Sequence, residues 1–193
     1  MAIQRLHYQK WLSQIPDLET KMLLDIGCGP LDSYSTNFPI RQNAIVSDLH
    51  KSSLDYTLLY GFKSVCADML ALPFNSKIFD IVSTGRLLHL LNSDNERERA
   101  ISESKRVLVP GGYLIGNFIP NFDSPFKIIN PFLARFAEKL IKPQIKEELD
   151  KYMSIVTKNG FKLLNTTLGF YDQKHAYIPN MNFLEFYFLA KLS

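Results

Sequence analysis

The sequence has little cysteine and no long apolar run, and both absences narrow the kinds of protein it can be. Its 193 residues include only two cysteines, Cys28 and Cys66, which are too few for a disulfide framework and lack the spacing of zinc ligands. We expect both thiols to be buried, in a reducing compartment. No apolar stretch approaches the roughly 18 residues of a membrane span. The N-terminal stretch also lacks the apolar centre of a signal peptide, so the cytoplasm is the expected location.

The charge pattern argues against a polyanionic partner. The formal net charge is only +3, and basic residues alternate with acidic ones, as in "NERERAISESKR". We interpret such segments as solvated helix faces rather than as a nucleic-acid-binding surface. No nucleic-acid partner is therefore expected, and no cluster of acids predicts a catalytic metal site.

The order of apolar and amphipathic segments predicts one α/β domain over residues 1–193. Hydrophobic residues make up 46% of the chain, enough for a substantial core. Short strand-like runs alternate with helical patterns, which indicates a mostly parallel sheet covered on both faces. Residues 1–20 are predicted to form an N-terminal helix, which Pro16 ends. The last two β-type segments are joined by sequence too short for a helix, so we expect an antiparallel pair.

Two glycines and three acids follow the predicted strands. Gly27 and Gly29 close the first strand, where their lack of side chains allows a sharp turn and close approach of a ligand. Asp25 lies at the end of the same strand, Asp48 closes the second and Asp68 closes the third. Ligands of such sheets bind at the carboxyl ends of the strands. We therefore expect these residues to meet at one site, with Asp48 accepting ribose hydroxyls and Asp68 accepting an exocyclic amine.

Each acid also has a plainer interpretation. Asp48 would cap the helix that begins near Ser52, and Asp68 would lie in a solvent-facing turn. Asp25 would be a half-buried carboxylate satisfied by backbone N–H groups. The combination of three acids beside one glycine turn favours a ligand site.

The missing third glycine indicates which ligand. A dinucleotide site uses G-x-G-x-x-G so that a pyrophosphate can approach the helix N-terminus. Here Leu31 and Asp32 follow the turn, and the Asp32 carboxylate would repel a pyrophosphate. This disfavours a nicotinamide-dependent oxidoreductase. A ligand with adenine, ribose and an amino-acid end but no phosphate fits better, and S-adenosylmethionine is such a molecule.

Five segments in order then resemble a known family. They are "LLDIGCGP", "VSDL", "CADMLALPFNSKIFDIVST", "LLHLL" and "ESKRVLVPGGYL", running from about Met22 to Phe118. Together they resemble the class I S-adenosylmethionine-dependent methyltransferases, in particular the small-molecule group that includes the ubiquinone/menaquinone-biosynthesis enzymes. The resemblance implies a Rossmann-like, doubly wound seven-stranded sheet, mostly parallel, with an antiparallel last strand. It also implies S-adenosyl-L-methionine as the cofactor.

The resemblance assigns roles to individual residues. The methionine side of the cofactor would meet Asp25, Gly27 and Gly29. The ribose and adenine would meet Asp48 and Leu49, and the adenine edge would meet Asp68 and Met69. Gly85 and Arg86 would lie near the sulfonium. One departure from the family pattern is Leu31, which stands where the family usually has glycine. Because of this departure, a non-catalytic cofactor-binding or scaffolding protein is the alternative interpretation.

The reacting groups are less clearly marked. His89 is the candidate general base, because it alone among the histidines follows the fourth strand closely; its plainer interpretation is a satisfied residue beside the core. No [D/N]-P-P-[Y/F] run follows that strand, which argues against enzymes that methylate the amino groups of nucleic-acid bases through that motif. Residues 120–144 are predicted to be a helical insertion that covers the acceptor.

The predicted acceptor is a small, apolar or aromatic metabolite. Five aromatic residues in or beside the insertion favour such a pocket: Phe118, Phe122, Phe126, Phe132 and Phe136. They are equally suited to packing a surface helix on the sheet. Three basic residues there would also allow contact with a membrane surface that carries a lipid substrate: Arg135, Lys139 and Lys142.

Overall fold

A seven-stranded sheet organises the chain. The structure is a computed structural model that describes residues 11–29, 41–59, 61–85, 87–118, 146–172 and 182–193. The strands are β1 (Leu23–Ile26), β2 (Ala44–Asp48), β3 (Lys63–Cys66), β4 (Phe79–Gly85), β5 (Leu108–Phe118), β6 (Phe161–Asp172) and β7 (Asn182–Leu192). The helices are α1 (Lys51–Leu59), α2 (Asp94–Val107) and α3, described over 146–158. Short 3₁₀ turns occupy Leu18–Thr20, Arg41–Asn43 and Leu88–Leu90.

The strand order is β3-β2-β1-β4-β5-β7-β6. Strands β1 to β5 are parallel, and β7 runs antiparallel to both of its neighbours, β5 and β6. This confirms the predicted fold class, including the antiparallel last strand. The chain moves outward from β1 in both directions, so the carboxyl ends of β1, β2 and β4 lie side by side where a ligand of this fold binds.

The alternation of side chains along the strands builds a core on each face of the sheet. Leu24 and Ile26 of β1 point to the larger cluster, which also contains buried residues of α2 and α3. Leu23 points to the opposite cluster, where it joins Trp11 and Leu12. Apolar residues occupy both sides of the central strands because each face is covered.

Some local expectations differ from the structure. Helix α2, which the sequence predicts to be separated from the next strand by Pro110 and two glycines, passes directly into β5 at Leu108, so these three residues lie within the strand. A register shift between Phe79 and Ile81 of the neighbouring strand coincides with this segment, and proline is tolerated at such irregular positions. Strand β3 ends at Cys66, two residues before Asp68.

The expectation of two buried thiols is wrong. Cys66 is exposed and Cys28 is partly exposed. The reason is position: Cys66 ends β3, which is the edge strand of the sheet, and Cys28 lies in the turn after β1 rather than in the strand.

Part of the predicted organisation lies outside the described residues. This holds for the first ten residues of the predicted N-terminal helix and for the insertion 120–144 with its phenylalanines. The spacing of apolar residues in "IKEELDKYMSIVTKNG" predicts an amphipathic helix, and from position 146 the chain forms α3 with Met153 and Val156 buried. None of the helices within the described ranges is long and apolar enough to cross a membrane.

Candidate active site

The turn after β1 presents bare backbone at the edge of the sheet. Gly27 and Gly29 have φ values of 72° and 56°, in the region that favours glycine. The N–H groups of Gly27 and Cys28 donate to the carbonyl of Ser47 at 2.8 and 3.0 Å, which ties the turn to β2. A Cβ at Gly27 would lie 2.9 Å from Leu87, whereas a Cβ at Gly29 would meet no described atom within 4 Å. Among the described residues, Gly29 therefore borders open space.

Asp48 joins this turn to the end of β2. Its Oδ2 accepts a hydrogen bond from the N–H of Gly29 at 2.9 Å, and its Oδ1 accepts one from the N–H of His50 at 2.8 Å. The carboxylate is 9% exposed. A carboxylate offers about four lone-pair positions, so these two bonds leave positions for ligand hydroxyls. The bond from His50 places the Asp48 carboxylate one residue before α1, which resembles the predicted helix-capping role. The remaining lone pairs leave it able to accept ribose hydroxyls.

Asp25 is a buried acid beneath the turn. Its side chain is 2% exposed, and its Oδ1 accepts a hydrogen bond from the Ser83 hydroxyl at 2.6 Å. Burial raises the pKa of Asp25 from 3.8 to about 7; the Ser83 bond lowers it, and the charge of Asp48 raises it further. Asp25 is therefore more deeply buried than the half-buried alternative supposed, and its partner is a hydroxyl. Ser83 escaped the sequence analysis because serine inside a strand gives no distinctive pattern.

The two acids also act on Cys28. Burial raises the pKa of this thiol to about 12, and the charges of Asp25 and Asp48 contribute in that order. The thiol therefore stays protonated and is a poor nucleophile. A further anion would be repelled here, whereas a cationic group of a ligand would be stabilised.

The residues after β2 and β3 form the next part of the edge. Leu49 is an apolar side chain with 62% of its surface exposed, directly after Asp48. Asp68 is exposed and lies in a turn: its Oδ1 accepts from the N–H of Leu70 at 2.8 Å, and its carbonyl accepts from the N–H of Ala71 at 3.0 Å. Met69 is 5% exposed, with its side chain in the core. Contact between Met69 and a ligand would therefore come from its backbone.

The end of β4 carries the candidate base. Gly85 is the last residue of the strand and is buried, and Arg86 lies outside the described residues. His89 is half-buried in the turn Leu88–Leu90. This turn is bound by Arg97 of α2, whose Nε donates to the Leu88 carbonyl at 3.2 Å.

Asn117 was also missed by the sequence analysis. It is 1% exposed near the end of β5 and pairs in register with Gly85. Asp25 pairs in register with Ser83, so polar buried side chains extend across β1, β4 and β5 near the carboxyl edge. The available signal was an asparagine inside the apolar run "YLIGNFI", where burying an amide is costly unless it is hydrogen-bonded.

Known proteins match both the sequence and the fold. Residues 24–116 match the family model described as "Methyltransferase domain". Over this span the chain is similar to a methyltransferase domain, and its fold is that of the class I S-adenosylmethionine-dependent methyltransferases. Within 94 residues, 49% of this chain, it is 31% identical to a human protein named "Probable tRNA methyltransferase 9B". The match spans 20% of that longer protein.

Two solved structures share the fold of this methyltransferase domain. A SAM-dependent methyltransferase from Methanosarcina mazei superposes with a TM-score of 0.64 at 17% identity, covering 90% of this chain and 93% of the other. The N-methyltransferase NodS from Bradyrhizobium japonicum, crystallised with S-adenosylhomocysteine, gives a TM-score of 0.63 at 13% identity, covering 99% and 86%.

The residues of the methyltransferase domain fit S-adenosylmethionine. The space beside Gly29 admits a ligand, and the buried Asp25 carboxylate suits the ammonium and sulfonium charges. Asp48 suits ribose hydroxyls, and the exposed Leu49 suits one face of a purine. The described residues contain no group of three or more His, Cys, Asp or Glu side chains placed to hold a metal ion.

Proposed function

We propose that this chain binds S-adenosylmethionine at the carboxyl edge of β1, β2 and β4 and transfers its methyl group to a small, apolar or aromatic metabolite. The observation that carries the proposal is the Asp48 carboxylate, which accepts the N–H of Gly29 beside open space. In this assignment Asp25, Gly27 and Gly29 bind the methionine part. Asp48 binds the ribose.

The chain supplies position and environment rather than the reactive group. S-adenosylmethionine, when bound, supplies a methyl group on a sulfonium that is ready for in-line displacement. The Gly27–Gly29 turn orients the amino-acid end, and the Asp48 carboxylate orients the ribose. Correct placement of two reactants alone supplies about 7–11 kcal/mol of the barrier. Gly85 and Arg86 are assigned to the neighbourhood of the sulfonium.

His89 is proposed as the base that takes a proton from the acceptor. It follows β4 in a turn, and general bases typically contribute roughly 10²–10⁴-fold to rate. For an acceptor that must lose a proton, His89→Gln is expected to lower kcat by roughly 10²–10⁴-fold. Cofactor affinity is expected to stay unchanged.

A small acceptor is supported by the side chains at the site entrance. Two leucines among the described residues that follow β2 and β4 have most of their surface exposed: Leu49 at 62% and Leu90 at 65%. A nucleic-acid acceptor requires Lys or Arg against its phosphates. The human relative's name refers to tRNA, so tRNA is the competing acceptor to test.

The first test is calorimetric titration of S-adenosylhomocysteine into the wild type and Asp48→Asn. The wild type is expected to bind at micromolar affinity. The variant is expected to lose about 10–100-fold, because one hydroxyl acceptor and the charge are removed. Asp55→Asn is the matched control, since Asp55 is an exposed acid on α1. Equal affinity in all three proteins, or a folded wild type that does not bind, would contradict the assignment.

The second test identifies the acceptor class. S-adenosylhomocysteine release is measured with a metabolite extract freed of macromolecules by ultrafiltration, and in parallel with purified tRNA. Turnover with the extract alone supports the proposal, and turnover with tRNA alone replaces it with a nucleic-acid acceptor. Tight cofactor binding without turnover in either favours the non-catalytic alternative.

A further inference from the structure

The segment between β3 and β4 is bound by two residues of α2 to which no contact with the cofactor is assigned. This segment, residues 67–78, is called the Asp68 loop below. Glu103 and Arg106 lie on α2, and their side chains are only 21% and 34% exposed. These residues belong to the charged segment that the sequence predicted to be a solvated helix face. That interpretation is wrong for this pair.

Three hydrogen bonds join the side chains of the pair to the backbone of the loop. Arg106 donates from Nη1 to the Phe74 carbonyl at 2.7 Å and from Nη2 to the Leu72 carbonyl at 2.9 Å. Glu103 Oε2 accepts the N–H of Leu72 at 2.9 Å. Both peptide groups of Leu72 are thereby fixed by one ion pair.

The geometry of the ion pair is rigid. Arg106 Nε donates to Glu103 Oε1 and Nη2 donates to Oε2, both at 2.8 Å, so the guanidinium meets the carboxylate with two parallel bonds. Such paired contacts fix orientation as well as distance. The Arg106 main-chain carbonyl also accepts the N–H of Lys77 at 2.9 Å, which fixes the far end of the loop.

The position of Leu72 determines the position of Asp68. Only three residues separate them, and the turn they form is closed by bonds from the N–H groups of Leu70 and Ala71 to Asp68. On the other side, the N–H of Ala67 donates to the Asp48 carbonyl at 3.0 Å. Asp68 therefore stands between two fixed points, the end of β2 and the α2 ion pair.

We propose that Arg106, together with Glu103, is a positioning residue for the adenine end of the cofactor site, acting through the Asp68 loop. The inference rests on the proposed function and on the role that the family resemblance assigns to Asp68 and Met69, which is contact with the adenine edge. Lysine cannot replace the arginine fully, because an ammonium cannot bind two carbonyls and a carboxylate in one plane.

The experiment compares S-adenosylhomocysteine with S-inosylhomocysteine, in which a carbonyl replaces the exocyclic amine. Calorimetry gives Kd for both ligands with the wild type, Arg106→Gln and Arg106→Lys. Arg106→Gln is expected to raise the Kd of S-adenosylhomocysteine about tenfold and to reduce the preference for adenine over hypoxanthine. Arg106→Lys is expected to have a Kd and an adenine preference between those of the wild type and Arg106→Gln. A residue that only stabilised the fold would leave the preference unchanged.

Arg97→Gln is the matched control. Arg97 also pairs with an acid three residues before it, Asp94, and also donates to two loop carbonyls, but it binds the turn after β4. Its melting temperature is expected to fall similarly, while its preference for adenine over hypoxanthine stays within about twofold of the wild type, because the turn after β4 is assigned to the sulfonium end of the cofactor.

The outcomes separate the two proposals. A wild type that binds neither ligand removes the proposed function. A wild type that binds, with unchanged Kd and preference in Arg106→Gln, overturns the positioning role alone, as does an equal loss of the preference for adenine in Arg97→Gln. If Arg106→Gln fails to fold, Arg106→Lys and Glu103→Gln decide, because each keeps part of the contact.

Discussion

The glycine turn after β1 is fixed by the sheet, whereas the Asp68 loop after β3 is fixed by a helix. In the turn, the acid that is assigned to the ligand, Asp48, also accepts the N–H of Gly29. In the loop, Asp68 is the assigned ligand residue, and the fixing groups belong to Glu103 and Arg106 of α2. One region combines binding and support in one side chain, and the other divides them between distant residues.

This difference has a consequence for mutation. In the turn, one substitution changes binding, charge and local stability together. In the loop, support can be altered without touching any residue assigned to the ligand.

Replacing Asp25 with Asn should remove a pH dependence of stability. The folded pKa of about 7 exceeds 3.8, so the folded protein binds this proton more tightly than the unfolded chain does. The stabilisation is complete below about pH 4 and is lost as pH rises through about 7, at roughly 1 kcal/mol for each pH unit. Asp25→Asn should flatten this slope in urea unfolding measured from pH 4 to 8. An identical dependence of the unfolding free energy on pH in both proteins would mean that a group other than Asp25 causes it.

Alanine at the two glycines of the turn should have unequal effects. Both positions have positive φ, which costs each alanine variant about 1–2 kcal/mol. Only at Gly27 would the new Cβ lie 2.9 Å from the end of the Leu87 side chain, which has to shift, so Gly27→Ala should lose about 1 kcal/mol more in denaturant unfolding.

Cofactor binding should distinguish the same two variants in the opposite sense. Gly29→Ala fills the open space, so its affinity for S-adenosylhomocysteine should fall more than its stability predicts. Affinity at the wild-type level in Gly29→Ala would mean that no ligand lies against Gly29.

Removing the cap of α2 should have the smallest effect. The Ser93 hydroxyl accepts the N–H of Glu96, and Glu96 Oε2 accepts the N–H of Asn92, an arrangement that differs from a capping box by one residue at the second bond. Ser93→Ala should lower the free energy of unfolding by about 1 kcal/mol. The Kd for S-adenosylhomocysteine should not change, because the cap lies at the end of α2 remote from Arg106. A weaker Kd would show that the whole helix, rather than the ion pair, sets the loop.

The sheet and the glycine turn were predictable because their signals are local. Apolar runs such as "MLLDIG" predict buried strands, and Gly27, Gly29 and Asp48 stand where a turn and a strand end require those residue types. The antiparallel pairing of β6 and β7 followed from a connection too short for a helix, and the structure confirms it.

The supporting contacts were not predictable for a physical reason. An arginine that faces water and an arginine that binds loop carbonyls follow the same helical spacing, so the sequence did not distinguish Arg106 from its solvated neighbours. Ser83 depends on its pairing with Asp25 across two strands, which only the assembled sheet establishes. Asn117 likewise becomes meaningful only once β5 lies beside β4.

The placement of β7 constrains the order in which the protein folds. This strand follows β6 in the sequence but lies between β5 and β6 in the sheet. Strand β6 is therefore at the edge of the described sheet and pairs with β7 there. The Asp172↔Asn182 and Phe161↔Leu192 pairs show that the two strands form one long hairpin. We therefore expect the parallel strands to assemble first and the hairpin to dock as a unit. Its contacts with β5 join residues far apart in the chain, such as Tyr113 and Lys191, and pairings of such high sequence separation form slowly.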